Sequence, residues 1–203
     1  MTMTVELREE SPATLADYAG VPIAFEVGER LAVVAPDAGL GGLQLLAERV
    51  TPSYIKDYDA DSENHPTAWP KRFDLSRWGI LAAWSGDARV GGAVVAWGTQ
   101  GLDLLDGRPD LSVLWDLRVA PAWRGRGVGA ALFRAAEAWS VARGARWLKV
   151  ETQNINVRAC RFYARQGCVL GALHRFAYPA LPDEVQLLWY KRLALVGDCP
   201  GGA

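Results

Sequence analysis

The chain is short of the residues from which most triads and metal centres are built. Its 203 residues include two histidines, His65 and His174, and three cysteines, Cys160, Cys168 and Cys199. Two histidines leave little for a histidine-based triad or metal cluster. Three cysteines without Cys-x-x-Cys spacing supply neither a disulfide framework nor a zinc site, so reduced thiols in a cytoplasmic protein are expected, and no metal. No apolar run approaches the ~20 residues that span a bilayer. The first ten residues carry acids where a signal peptide would have a basic start and an apolar stretch. Neither sign of charge dominates: the formal net charge is −1, which gives no general attraction for nucleic acid.

What is there is a globular composition, half hydrophobic and 22% charged, of a length that suits one domain with a sizeable core. Nine tryptophans exceed what a core alone needs and leave rings for a substrate cleft or a dimer interface. Residues 1–20 read as a loosely held start, 21–193 as the domain and 194–203 as a tail. Strand-like segments are Val21–Val27, Leu31–Val34 and Leu43–Val50. The proline-rich, acidic stretch from Thr51 to Asp74 reads as a loop with one short helix at most. Trp78–Trp84 and Arg89–Trp97 form a hairpin around Ser85-Gly86-Asp87, and Leu111–Val119 is the next strand.

From Gly125 to Arg143 the period changes to helical, with Val128, Leu132, Ala136 and Trp139 on one face and Gly144 as the stop. A strand at Arg146–Thr152, a helix at Asn154–Gln166 and two strands, Cys168–Tyr178 and Val185–Leu193, complete the chain. The fold class is mixed α+β, with a strand–helix–strand–helix core and a terminal hairpin.

The segment Arg124-Gly125-Arg126-Gly127-Val128-Gly129 sits between a strand end and the longest helix. The first amides of a helix have no internal partner, its dipole favours an anion by about 0.3–2 kcal/mol, and glycines let a ligand approach closely. Arg124 and Arg126 add charge-assisted donors, so the turn suits a pyrophosphate. A P-loop would need Lys-Ser or Lys-Thr where Ala130-Ala131 stand. A dinucleotide fingerprint fits Gly125-x-Gly127-x-x-Ala130, with Glu151 ~20 residues on. Against it, Pro121 to Arg124 separate strand from glycines, and too few strand–helix units follow. Glycines that merely ease a helix start would not require arginines on both sides.

This loop, preceded by Leu117-Arg118-Val119-Ala120-Pro121 and followed by Asn156-Val157-Arg158-Ala159-Cys160-Arg161-Phe162-Tyr163 and Gly167, resembles the GNAT superfamily of acyl-CoA-dependent N-acetyltransferases. A narrower likeness, through Glu151-Thr152-Gln153-Asn154, Tyr54-Ile55-Lys56-Asp57-Tyr58-Asp59 and Glu184-Val185 with Trp189-Tyr190, is to streptothricin acetyltransferases. The resemblance implies one GNAT-like domain with a mostly antiparallel central sheet and acetyl-CoA as cofactor. It implies that Arg124 to Gly129 hold the pyrophosphate and that the backbone of Leu117, Arg118 and Val119 pairs with pantetheine. It further implies that Asn156 contacts the coenzyme and that Tyr163 is the acid that protonates the thiolate. Packing beside Phe162 is the plainer reading of Tyr163, and helix capping that of Asn156.

For the base, Asp116 projects with Leu114 and Arg118 from one face by strict alternation, on the strand where many GNAT enzymes carry an acid. Glu151 on the neighbouring strand competes, and for either a plain ion pair with an arginine is the alternative. The expected acceptor is the primary amine of a small cation, a polyamine or a streptothricin-like antibiotic. It would be met by Tyr54, Asp57, Asp59 and Trp69, with Tyr58, Asp61, Glu63 and Asp183-Glu184 nearby in sequence. A charge run in a loop is as often a solvated surface. Rival functions are acetylation of protein amino termini or lysines, and a non-catalytic acyl-CoA-binding regulatory domain. The last would have no need of Tyr163 or of an acid near the thioester.

Overall fold

The computed structural model describes residues 4–194. The order is β1 (Glu6–Glu10), α1 (Leu15–Ala19), β2 (Phe25–Val34), β3 (Gln44–Lys56), α2 (Trp69–Arg72), β4 (Gly79–Ser85), β5 (Ala88–Trp97), β6 (Leu111–Val119), α3 (Val128–Ala142), β7 (Trp147–Gln153), α4 (Val157–Arg165), β8 (Val169–His174) and β9 (Gln186–Arg192). Two compact units share these elements. One consists of residues 24–57 and 151–189, and the other of the remaining described residues.

In the larger unit β1, β4, β5 and β6 pair antiparallel in that order, and β7 pairs parallel to β6 from Leu111↔Trp147 to Leu114↔Val150. One sheet face is covered by α3, whose predicted stripe of Val128, Leu132, Ala136 and Trp139 is buried throughout. Ser112 on β6 donates across this interface to Ser140 on α3 at 2.8 Å, and Ser140 in turn donates to the Ala136 carbonyl. On the opposite face Leu15, Tyr18, Trp69, Trp78, Ile80, Val94 and Val113 form an aromatic-rich core, with Phe73 and Trp115 packed against it. Three of the nine tryptophans, Trp69, Trp78 and Trp115, therefore belong to this core. The close approach of Tyr18 requires Gly92: a Cβ there would lie 2.4 Å from the ring.

The loosely held start expected over residues 1–20 is ordered from Glu6 to Ala19. β1 pairs with β4 along its whole length, from Glu6↔Trp84 to Glu10↔Ile80. Its charged side chains find specific partners: Trp139 donates to Glu9 at 2.7 Å, Trp84 donates to Glu10 at 2.8 Å, and Arg89 pairs with Glu10.

In the smaller unit β2 and β3 make a separate two-stranded antiparallel ribbon, in register from Phe25↔Lys56 to Val34↔Gln44 with a shift between Val27 and Glu29. The two short strands expected at 21–34 are thus one. The expected loop after Thr51 begins late, since β3 continues to Lys56. Arg161 on α4 forms a two-pronged ion pair with Glu29 on β2, at 2.6 and 2.9 Å. Asn154 anchors the ribbon by donating to the Leu31 carbonyl, while its own oxygen accepts from the Val185 amide. Strand β9 lies between β7 and β8. Most of the tail expected at 194–203, with Cys199, lies outside the described residues.

Candidate active site

Strand β6 ends at Val119, and Pro121–Trp123 make one tight helical turn before the glycine loop. Gly125 and Gly127 take φ of 75° and 85°, a region that side chains with a Cβ enter at a cost of about 1–2 kcal/mol. Gly127 is the N-cap of α3 and no side chain caps this end. A Cβ built on either glycine would meet nothing within 4 Å. Glycine is needed here for the backbone path, and the space beside the path is open. An open, uncapped helix start with its first amides outward is the cradle a pyrophosphate fits.

The two arginines of the loop differ. Arg124 donates to the Val119 carbonyl at 3.0 Å and to the Pro22 carbonyl at 3.2 Å, so its guanidinium also fastens the loop to its own base. Arg126 is exposed, its guanidinium 5.7 Å from the Trp123 ring centroid, and it is the better placed of the two to meet a phosphate.

Pairing between β6 and β7 stops at Leu114↔Val150, yet β6 runs on to Val119, held on its other edge by β5 through Ala93↔Leu117, Gly92↔Arg118 and Gly91↔Val119. The strict alternation expected along this strand is broken. Val94 pairs with Asp116 and Val95 with Leu114, so Trp115 is an inserted bulge residue. Ser112, and with it Leu114 two residues on, faces α3, whereas Asp116 and Arg118 face Tyr18. Leu114 and Asp116 therefore do not share a face.

Arg118 is almost fully buried. It donates to both oxygens of Asp116, at 3.0 and 2.7 Å, to both oxygens of Asp59, at 2.8 and 3.2 Å, and to the Val21 carbonyl at 3.2 Å. Burial opposes its charge, but Asp116 outweighs burial and raises its pKa above the usual arginine value. Tyr18 donates to Asp116 as well, and burial together with that carboxylate raises the pKa of its phenol well above the ordinary value. Asp116, expected as the base, is thus occupied by three donors in a buried ion network. Its geometry is that of the counter-ion of Arg118.

In the smaller unit Asn156 is the N-cap of α4, its side-chain oxygen accepting from the Ala159 amide at 3.2 Å. It also lines a cleft with Phe25, Glu29, Arg49 and Arg158, which is compatible with a further ligand contact. Tyr163 lies on α4, 6% exposed, edge-on to Phe162. Cys160, one turn into the same helix, is buried, and burial raises its thiol pKa, which disfavours the thiolate. Glu151 accepts from the Tyr178 hydroxyl at 2.6 Å and from the Gln186 amide at 2.9 Å.

The residues expected to meet the acceptor are not of one kind. Tyr54 is 44% exposed on β3 and Asp57 is exposed just beyond it. Asp59 is spent on Arg118. Trp69 is 2% exposed in the aromatic core, where it donates to the Asn64 carbonyl, and is a packing residue rather than a substrate contact. Asp61 accepts from Asn64 and from the Glu63 amide, organising its own turn. Glu184 is buried against Lys56 at 2.5 Å, while Asp183 is largely exposed. The Tyr18–Asp116–Arg118–Asp59 network was missed from sequence; an arginine and an aspartate two apart on an apolar strand were its one visible sign.

Residues 44–168 match the family model described as Acetyltransferase (GNAT) family, more than half of the chain. The chain belongs to the GNAT acetyltransferase family. GNAT acetyltransferases use acetyl-CoA, and the uncapped loop at α3 lies within the matched residues. Over 83 residues the chain is 36% identical to streptothricin acetyltransferase A of Bacillus subtilis (strain 168), covering 40% of this chain and 48% of that protein. Over 85 residues it is 36% identical to the streptothricin acetyltransferase of Streptomyces lavendulae, 42% and 43% of the two chains. These matches span about half the length of the curated relatives. Among solved structures, nourseothricin acetyltransferase superposes with a TM-score of 0.73 at 24% identity, over 94% of this chain and 99% of that one. A protein of Bacillus anthracis str. Ames in complex with acetyl coenzyme A gives 0.71 at 24% identity, over 96% and 100%. At that identity they establish the fold. Among the described residues no helix is long and apolar enough to cross a membrane.

Proposed function

We propose that the protein transfers the acetyl group of acetyl-CoA to a primary amine of a small cationic acceptor, of the chemical class to which streptothricin-like antibiotics and polyamines belong. The observation that carries this reading is the open, uncapped start of α3 behind Gly125 and Gly127 in a chain of the GNAT family. The names of the relatives at 36% identity favour the antibiotic-like acceptor over a protein amino terminus.

In this reading the amides of Val128 and Gly129 and the guanidinium of Arg126 meet the pyrophosphate, with Arg124 holding the loop. The backbone of Leu117, Arg118 and Val119 pairs with pantetheine as an added strand would. Asn156 adds a coenzyme contact, and Tyr163 supplies a proton to the departing sulfur. A phenol is suited to that task because it is protonated at neutral pH. An alkyl amine, with pKa ~10.4, is neutral in fewer than about one molecule in a thousand at pH 7, so a group that removes its proton is required as well. Such acid and base groups each contribute typically ~10²–10⁴-fold.

The test is acetyl-CoA turnover against a panel of amines that includes streptothricin, polyamines, lysine peptides and peptide amino termini. Turnover confined to small cationic amines supports the reading. Preference for peptides replaces it with a protein acetyltransferase, and binding of acetyl-CoA without turnover of any amine replaces it with a regulatory domain.

A further inference from the structure

Past Leu114, strand β6 has a strand neighbour on one edge only. Its pairing with β5 continues to Gly91↔Val119, whereas pairing with β7 stops at Leu114↔Val150. A strand end of this kind keeps a row of backbone groups open to a ligand, but it has less to keep it in place. Here side chains supply the hold. Asp116 and Arg118 turn toward the N-terminal segment, and both are met by the stretch from Tyr18 to Pro22.

That stretch touches the strand end and the glycine loop alike. The Tyr18 hydroxyl donates to Asp116, and the Tyr18 ring centroid lies 4.9 Å from the Arg118 guanidinium. The Val21 carbonyl accepts from Arg118 at 3.2 Å, and the Pro22 carbonyl accepts from Arg124 of the loop at 3.2 Å. The stretch is itself well fixed. Tyr18 and Val21 are buried, the Gly20 amide donates to the Asp17 carbonyl, and the Val21 amide donates to that of Tyr18. Both bonds to β6 end on side chains, so they leave the backbone N–H and C=O groups of its open edge to a ligand. Residues 18–22 precede the 44–168 that match the family model.

We propose that Tyr18–Pro22 is a brace for the coenzyme site. It holds the open end of β6 and the base of the glycine loop in one fixed relation, with pantetheine to lie on the strand and pyrophosphate on the loop. Tyr18 is its principal positioning residue and acts through Asp116 and Arg118. The inference rests on the acetyl-transfer reading above, which lays acetyl-CoA along these two elements. A site that is formed only part of the time binds more weakly by the reciprocal of the formed fraction, and a site formed in advance avoids that loss. Loosening the brace should therefore weaken coenzyme binding and leave the chemical step of the bound complex nearly unaltered.

The test compares wild type, Tyr18→Phe and Leu105→Ala by calorimetric acetyl-CoA binding and steady-state kinetics, each below its own Tm. It adds hydrogen exchange of the wild type with and without acetyl-CoA. Tyr18→Phe keeps the ring and removes one hydroxyl. Its Kd and KM for acetyl-CoA should rise about tenfold, as for a site formed a tenth of the time, while kcat and the amine KM at saturating acetyl-CoA change little. Leu105 is buried in the same aromatic core and forms no hydrogen bond with the brace, so Leu105→Ala should lower Tm and keep the wild-type Kd. In the wild type, acetyl-CoA should slow exchange of the Gly20 and Val21 amides along with those at the start of α3, because opening the brace would disrupt the bound site. That measurement needs no substitution and decides the matter even where Tyr18→Phe does not fold. An unchanged Kd in folded Tyr18→Phe, an equal rise in Leu105→Ala, or Gly20 and Val21 exchange that acetyl-CoA does not slow overturns the brace. A wild type that does not bind acetyl-CoA removes the acetyl-transfer reading and the inference with it, whereas a wild type that binds it but gives any of those three results removes the inference alone.

Discussion

Tyr18 donates its phenolic hydrogen to Asp116, and so fastens helix α1 to strand β6 ninety-eight positions later in the sequence. The same carboxylate takes two bonds from Arg118, whose guanidinium also lies 4.9 Å from the Tyr18 ring centroid. The N-terminal segment is thereby part of the strand that the GNAT loop extends. The network has consequences for stability that are separate from catalysis.

Removing its cation should be severe. Arg118→Met removes the guanidinium that Asp116 and Asp59, both largely buried, share. Breaking a buried pair from one side costs about 3–5 kcal/mol. Denaturant unfolding should show a fall of that size, and a change below about 1 kcal/mol would mean that the network is solvated in the folded protein.

Tyr18 gives the same network a pH signature. Its phenol has a folded pKa well above its ordinary value, because of burial and then Asp116, so the folded chain holds that proton more tightly than the unfolded one. The contribution is complete below the unfolded value of ~10 and is lost as pH rises through the folded value. Wild-type stability should therefore decline above about pH 10 more steeply than that of Tyr18→Phe, whose lower baseline reflects a lost bond to a charged acceptor, about 1.5–3 kcal/mol. Parallel curves over that range would contradict the assignment.

Gly127→Ala separates backbone strain from ligand contact. With φ of 85° and nothing within 4 Å of an added Cβ, the substitution costs about 1–2 kcal/mol of stability, conformational in origin. If acetyl-CoA lies against this turn, its KM should rise by more than Tm alone would suggest. Arg126→Ala should leave stability unchanged and weaken coenzyme A about tenfold, with little effect on a fragment that lacks the pyrophosphate and nucleotide.

Much of the fold could be read in the sequence because burial there follows a simple period. Val128, Leu132, Ala136 and Trp139 are buried as their spacing requires, and β5 and β6 are apolar because both faces of their sheet are covered. The ribbon was less legible. β3 is mostly exposed, carries Pro52 and ends among charged residues, so neither alternation nor hydrophobicity marked Tyr54 to Lys56 as strand. β1, Glu6–Glu10, reads as a polar start, yet Trp84, Arg89 and Trp139 supply partners for its acids from far along the chain. The phosphate loop was legible because glycine and arginine spacing carries its own physics. The orientation of Asp116 was not, because the bulge at Trp115 shifts every later side chain and leaves no compositional trace.

The last expectation concerns the acidic run, whose members the structure divides. Asp59 is tied by two bonds to Arg118, whereas Asp57 is exposed at the end of β3 beyond Tyr54. An acid already bound to a buried arginine offers little further attraction to a ligand, while an exposed one at a ribbon end can draw a cation through solvent. Asp59→Asn should therefore lower Tm and affect charged and uncharged-tail acceptors equally. Asp57→Asn should leave Tm unchanged and raise KM selectively for the cationic acceptor, severalfold at low salt. That selective effect should fade as salt rises, since exposed charges are screened beyond about 8 Å at physiological ionic strength. Paired KM measurements at low and high salt on both variants decide the matter. A selective KM effect in Asp59→Asn, or none in Asp57→Asn at low salt, would leave Asp57 as solvated surface and remove the electrostatic argument for a cationic acceptor.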